Sequence, residues 1–190
     1  MEKIDKSRRK FFAAFLKAGL DAPEHWARTK RQTVSPPGSG GYDRLRDICI
    51  SCGKCVEICR TGVLKMTVDG YGIAGVMRPA MDFGTGFCEY ECTACMEVCP
   101  SGALENIGLD AKQSEQIGIA EVELKKCINF ADASHPCAVC KDRCPAGAIK
   151  IICGRPVVEA ELCIGCGACE FFCPVSPFKA IRVEGNAVHK

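Results

Sequence analysis

Large aromatic side chains are scarce in this chain of 190 residues: one Trp, three Tyr and nine Phe, 7 % in all. So few rings leave only a thin apolar core. Long apolar runs are missing too. None approaches the ~20 residues of a membrane-spanning helix, so the chain is not expected to cross a bilayer. There is no phosphate-binding G-x-x-x-x-G-K-[ST] loop, no G-x-G-x-x-G and no nucleophile motif, so no small-molecule substrate site is expected. His25, His135 and His189 are the only histidines, none at a motif spacing, and all three read as surface residues.

Charge of either sign is nearly balanced overall, at a formal +2, but it is unevenly spread. Residues 1–46 carry eleven Lys/Arg against five Asp/Glu, and residues 47–190 carry fourteen against eighteen. The larger, C-terminal part is therefore acidic, which excludes a nucleic-acid-binding core.

What the chain has in excess is cysteine, seventeen residues of 190. Sixteen fall into four groups. The first is Cys49-x2-Cys52-x2-Cys55-x3-Cys59. The second is Cys88-x3-Cys92-x2-Cys95-x3-Cys99-Pro100. The third is Cys127-x9-Cys137-x2-Cys140-x3-Cys144-Pro145. The fourth is Cys163-x2-Cys166-x2-Cys169-x3-Cys173-Pro174. Disulfide frameworks have irregular spacings, and the odd total also argues against one. Structural zinc uses two Cys-x2-Cys knuckles with a longer span between them, and has no use for a third Cys at the same short spacing. The first and fourth groups match the run that binds [4Fe-4S] clusters in bacterial ferredoxins. Three thiolates two residues apart wrap one face of a cubane, and the next, one helical turn on, points to a neighbouring cluster. The sixteen thiolates are thus expected to hold four [4Fe-4S] clusters. Gly53, Gly165 and Gly167 suit a backbone that curls tightly around sulfur. Cys153, outside the groups, reads as a small hairpin or core residue, with a redox-active thiol as the alternative.

The groups sit in an internal repeat of strand, cysteine loop, short helix, turn and strand. The β-prone runs are Gly62–Val68, Gly102–Leu104, Ile119–Leu124, Gly147–Ile152, Pro156–Ala160 and Lys179–Val183. Glu121 and Glu123 alternate on one of them as a solvated face. The expected fold is α+β: two ferredoxin-like modules of two clusters each, with small β-hairpins and short helices, over residues 45–190. Residues 1–32 read as a basic amphipathic helical arm, with Phe11, Phe12, Phe15, Leu16 and Leu20 on one side. Residues 33–44, rich in Pro, Gly and Ser, read as a flexible linker.

The four groups together resemble the MauM/NapG-type and NapF-type ferredoxins associated with periplasmic nitrate reduction and related electron-transfer chains. The resemblance covers about residues 45–185. It is most specific in Cys127-Ile128-Asn129-Phe130 with Cys137-Ala138-Val139-Cys140-Lys141-Asp142-Arg143-Cys144-Pro145. It extends to Cys99-Pro100-Ser101-Gly102-Ala103-Leu104 and Ile117-Gly118-Ile119-Ala120. It implies four [4Fe-4S] clusters, no catalytic centre, and redox protein partners on both sides. One such partner is often a membrane quinone-linked subunit. Cys59-Arg60, without the usual proline, departs from the pattern. Ser7-Arg8-Arg9-Lys10-Phe11-Phe12 looks like the twin-arginine signal of some members. Lys17 breaks the apolar stretch after it and no A-x-A-like site follows, so the segment reads as a retained docking helix for a membrane surface or a partner's groove. The expected location is cytoplasmic, at the membrane periphery, with export as the alternative.

Two pairings of the groups are open. The gap from Cys144 to Cys163 suits a sequential one, first with second and third with fourth. Resemblance to the four-cluster subunits of molybdenum oxidoreductases favours a nested one. There Cys49, Cys52, Cys55 and Cys173 share a cluster, as do Cys163, Cys166, Cys169 and Cys59. Cys88, Cys92, Cys95 and Cys144 hold a third, and Cys127, Cys137, Cys140 and Cys99 the last. The nested form is the expectation carried forward. The expected function is an electron-wire subunit of a membrane-associated oxidoreductase complex. A soluble ferredoxin shuttle or an accessory factor for maturation of a partner reductase is the alternative.

Overall fold

The computed structural model describes residues 32–190 except 69, 73–74 and 132–135. The helical arm, with His25 and the Ser7-Arg8-Arg9 motif, therefore lies outside the described residues, as does His135.

The first segment, residues 32–41, corrects an expectation. Val34, Ser35 and Ser39 are buried, so the stretch read as a flexible linker is packed. Its polar backbone is satisfied by partners on both sides. Val34 O accepts from Met81 N at 2.9 Å, and Gly38 O accepts from Glu105 N at 2.8 Å. Gly38 has φ +75°, and a Cβ there would stand 2.3 Å from Glu105 O, so only glycine fits this crossing. Helix α1, Tyr42–Ile48, follows at once and buries Leu45. Tyr42 stacks on Tyr71 with ring centroids 4.6 Å apart.

Among the described residues the β-structure is three antiparallel two-stranded sheets. β1 (Leu64–Thr67) pairs with β2 (Arg78–Met81), Leu64 opposite Met81. β3 (Gly118–Val122) pairs with β6 (Ile181–Gly185), Val122 opposite Ile181. β4 (Ile149–Ile152) pairs with β5 (Arg155–Val158). Pro79 in β2 and Pro156 in β5 are tolerated because each strand has a free edge, where a missing N–H breaks no ladder. Cys153 and Gly154 make the β4–β5 turn with φ +50° and +74°, the left-handed pair of a tight hairpin. The Gly102–Leu104 run, read as β-prone, forms no strand; Ala103 and Leu104 are buried in a loop.

The helices are short: α2 Lys54–Glu57, α3 Ala94–Glu97, α4 Leu109–Ser114, α5 Ile128–Ala131, α6 Val139–Asp142 and α7 Ala168–Phe171. α4 joins the half that ends near Leu104 to the half that begins with β3. One core runs through both halves, from Leu45, Val63, Leu64 and Leu104 to Ile117, Ile149, Ile181 and Val183. The cysteines pack against it. The halves also meet through aromatics: the Phe87 ring lies 5.2 Å from Phe172 and 5.7 Å from Phe171.

Candidate metal centres

Each cysteine group folds alike. Its third Cys lies on a four-residue helix: Cys55 on α2, Cys95 on α3, Cys140 on α6 and Cys169 on α7. The fourth Cys lies just past the helix end and turns back onto it. Cys59 N donates to Val56 O, Cys99 N to Met96 O, Cys144 N to Lys141 O and Cys173 N to Glu170 O. Three sulfurs of a group thus converge, and the fourth leaves for a neighbouring group, as the x2-x2-x3 spacing requires.

The neighbour is not the one expected. Cys55 faces Cys49, Cys52 and Cys99. Cys95 faces Cys88, Cys92 and Cys59, and these four line one cavity. Cys127, Cys137, Cys140 and Cys173 line a second cavity, walled by Val122, Ile128, Pro156 and Ile181. Cys169 faces Cys163, Cys166 and Cys144. The groups therefore exchange their fourth cysteines sequentially, and the nested pairing is corrected. The reason is the way each half closes. The β3–β6 ladder brings the start of the third group's half to the end of the fourth. The bond from Glu105 N to Gly38 O does the same for the first two groups.

The quartets also touch in a row. Cys95 of the second lies within electrostatic reach of Cys55 of the first. Cys88 of the second and Cys166 of the fourth are joined across the halves, with Cys88 N donating to Cys166 O at 2.8 Å. Cys169 of the fourth reaches Cys140 of the third. The order is first, second, fourth, third.

Burial and mutual repulsion set the electrostatics. Burial, then Cys49, Cys52 and Cys99, push the Cys55 thiol up to about 11. Burial, then Cys88, pushes Cys95 up to about 12. Burial raises Cys166 to about 12, partly offset by a bond from the Ala168 amide. Cys169 rises for the same first reason, followed by Cys166 and Cys163. At Cys99 burial also acts upward, but bonds from Leu104, Ser101 and Ala103 outweigh it, and the thiol falls below its ordinary value. Ionising four such sulfurs side by side is unfavourable unless a cation neutralises them.

The donors fit a cubane. Every quartet is all sulfur. Backbone amides reach the sulfurs, with Leu104 N to Cys99 Sγ at 3.3 Å, Ala148 N to Cys144 Sγ at 3.3 Å and Ala120 N to Cys163 Sγ at 3.4 Å. Such bonds stabilise sulfur's negative charge.

Sequence reasoning missed two buried groups. Lys112 on α4 is 3 % exposed, and its ammonium donates to Glu89 O and to Tyr90 O beside Cys88. No motif marks it. His189 corrects the surface reading: its side chain is 2 % exposed, with Nδ1 at 2.7 Å from Glu115 Oε1 and Nε2 at 2.7 Å from Ser35 Oγ. The trio has the form of a catalytic triad, but Ser35 is 1 % exposed, so its hydroxyl is out of reach of a substrate in solution. It ties segment 32–41 to the chain's end. Cys153 is exposed in its hairpin.

The sequence is similar to those of known proteins. Residues 34–104, which contain the first two groups, match the 4Fe-4S dicluster domain, and residues 156–181 match the 4Fe-4S binding domain. The protein is a ferredoxin-type iron–sulfur electron carrier, a class without a catalytic site. Over 168 residues it is 30 % identical to the ferredoxin-type protein NapG of Escherichia coli K12, covering 81 % of this chain and 71 % of that one. It is 28 % identical over 184 residues to the ferredoxin-type protein NapF of the same organism, covering 94 % and 96 %. It is 29 % identical over 160 residues to the methylamine utilization ferredoxin-type protein MauM of Methylobacillus flagellatus, covering 79 % and 67 %. The chain belongs to the NapG/NapF/MauM family of ferredoxin-type proteins.

Proposed function

We propose that the sixteen cysteines hold four [4Fe-4S] clusters. The quartets are Cys49, Cys52, Cys55 and Cys99; Cys59, Cys88, Cys92 and Cys95; Cys127, Cys137, Cys140 and Cys173; and Cys144, Cys163, Cys166 and Cys169. The chain then acts as an electron-wire subunit between two redox proteins, within a membrane-associated oxidoreductase complex. A bound [4Fe-4S] cluster takes up and releases one electron at a time.

The observation that carries this reading is the unbranched row of quartets, linked at Cys55–Cys95, Cys88–Cys166 and Cys169–Cys140. A row has two ends. One lies at Cys52, which is exposed, and the other at the Cys127 quartet. The protein's own work is to space the quartets, bury Cys163, Cys166 and Cys169 of the fourth, and aim amides at sulfur. Two ends imply two partners, and the names of the NapG and MauM relatives place those proteins in ferredoxin-type roles, the latter in methylamine utilization. Residues 1–32 would dock the chain on the cytoplasmic face of a membrane or in a partner; their basic, amphipathic pattern supports this. Among the described residues no helix is long and apolar enough to cross a membrane.

The test is anaerobic purification of the tagged protein from its native membranes, with iron and sulfide counted on the same sample. About sixteen iron per chain, as four four-iron clusters require, with co-eluting membrane or catalytic subunits supports the wire. Full iron with no partner would make the chain a soluble shuttle or accessory factor. Zinc in place of iron would overturn the assignment.

A further inference from the structure

A lysine ammonium is costly to bury unless anions or several acceptors surround it. Lys112 is buried all the same, in the helix α4 that joins the two halves. Its Nζ donates to Tyr90 O at 2.9 Å and to Glu89 O, two carbonyls in the loop of the second cysteine group. Among the described residues no carboxylate lies within ion-pair distance of it. The neighbouring Gln113 amide also donates to Tyr90 O, at 3.5 Å, so α4 is held against this loop at two points. Glu89 directly follows Cys88, so these bonds hold the ammonium within electrostatic reach of the Cys88 sulfur, whose thiol burial pushes up and the ammonium pulls back down. The only group in that set able to carry full negative charge is the Cys88 sulfur, and it does so when it ligates a cluster.

We propose that Lys112 is a positioning residue that raises the reduction potential at the Cys59–Cys88–Cys92–Cys95 quartet. The proposal rests on the reading that this quartet holds a cluster. Reduction adds one electron, and a fixed positive charge in a water-poor site stabilises the added negative charge more than water would. The location gives the effect a purpose. Cys88 is the residue through which the first half meets the second, by its bond to Cys166 O. A raised potential there would hold an electron at the crossing between the halves.

The experiment compares the reconstituted full chain with Lys112→Gln, which keeps a donor for the two carbonyls but loses the charge, and Lys112→Arg, which keeps the charge. Iron is counted, and the clusters are titrated potentiometrically under EPR. The expected result is full iron in all three. In Lys112→Gln one cluster of the four becomes harder to reduce, its reduced-to-oxidised ratio at fixed potential falling about tenfold, which is 59 mV for one electron. Lys112→Arg stays within about twofold of the parent. A purely structural lysine would be rescued by Gln and leave every potential in place, and that outcome overturns the proposal. A second measurement needs no variant to fold: selective ¹⁵N-lysine labelling of the parent protein, read by pulsed EPR. A nitrogen coupling on one reduced cluster supports the contact, and its absence overturns it. If the parent itself lacks iron at this quartet, the reading beneath the proposal fails, and the iron count alone shows that.

Discussion

Two loops of this protein carry the same spacing, Cys-x2-Cys-x2-Cys-x3-Cys, and meet opposite surroundings. In the Cys49–Cys59 loop, Cys52 is exposed, and a Cβ on Gly53 would enter open space. In the Cys163–Cys173 loop all four cysteines are buried. A Cβ on Gly167 would there stand 2.0 Å from the Phe83 ring, and one on Gly165 2.5 Å from Gly118 N. Yet Gly53 and Gly167 have nearly the same left-handed backbone, φ +77° and +79°. The local turn is therefore a property of the loop, while burial is a property of what packs on it. Phe83 comes from the other half of the molecule. The fourth group lies between the halves, and the first lies at an end of the row.

The largest effects that would break this contrast come from the ligands. Cys169→Ser and Cys52→Ser should each remove about a quarter of the iron, as the loss of one cubane in four does. Only Cys169→Ser should also destabilise the fold by more than about 4 kcal/mol, because it leaves a buried site without the metal that neutralised it. Denaturant unfolding beside iron analysis checks both. Equal stability losses would show that burial does not separate the two sites.

Next come the glycines. Gly165→Ala presses on the backbone of β3, which has no side chain to swing aside, and should cost about 3 kcal/mol or more. Gly167→Ala presses on Phe83 and adds about 1–2 kcal/mol of left-handed strain to a similar overlap. Gly53→Ala has the strain alone, about 1–2 kcal/mol. Thermal melts of the three variants should fall in that grouping, with Gly53→Ala mildest.

The smallest expected difference is in pH. A thiol must ionise before it can bind iron, and a raised pKa lowers its thiolate fraction at neutral pH. Cys166 is held at about 12 and Cys169 is raised as well, against about 11 for Cys55. The rate of cluster reconstitution should therefore rise as pH goes from 7 to 9 by a similar factor for both groups, and at any one pH it should be slower for the fourth group than for the first. Reconstitution of Cys52→Ser and Cys169→Ser, followed by absorbance, compares the two.

The spacing of sixteen cysteines was enough to read the metal chemistry, the α+β class and the third-Cys helices. These follow from neighbours within about one helical turn. The same local logic found β1, β3, β4, β5 and β6, each marked by β-branched residues next to a turn. It missed β2, where Pro79 hides a strand that pairs at one edge only. It also misread residues 33–44, because Pro, Gly and Ser look alike in a linker and in a packed segment whose backbone finds partners elsewhere.

What the sequence alone determined was which atoms could hold iron and the shape of each loop around them. The tertiary structure alone decided which group lends its fourth cysteine to which, and where the row crosses from one half to the other. It also placed a lysine from α4 and a histidine from the chain's end in the interior. The first kind of fact depends on contacts a few residues apart, which spacing records. The second depends on how the β3–β6 ladder, the 32–41 segment and the Phe83 and Phe87 contacts close the chain over long separations, and spacing carries no record of that.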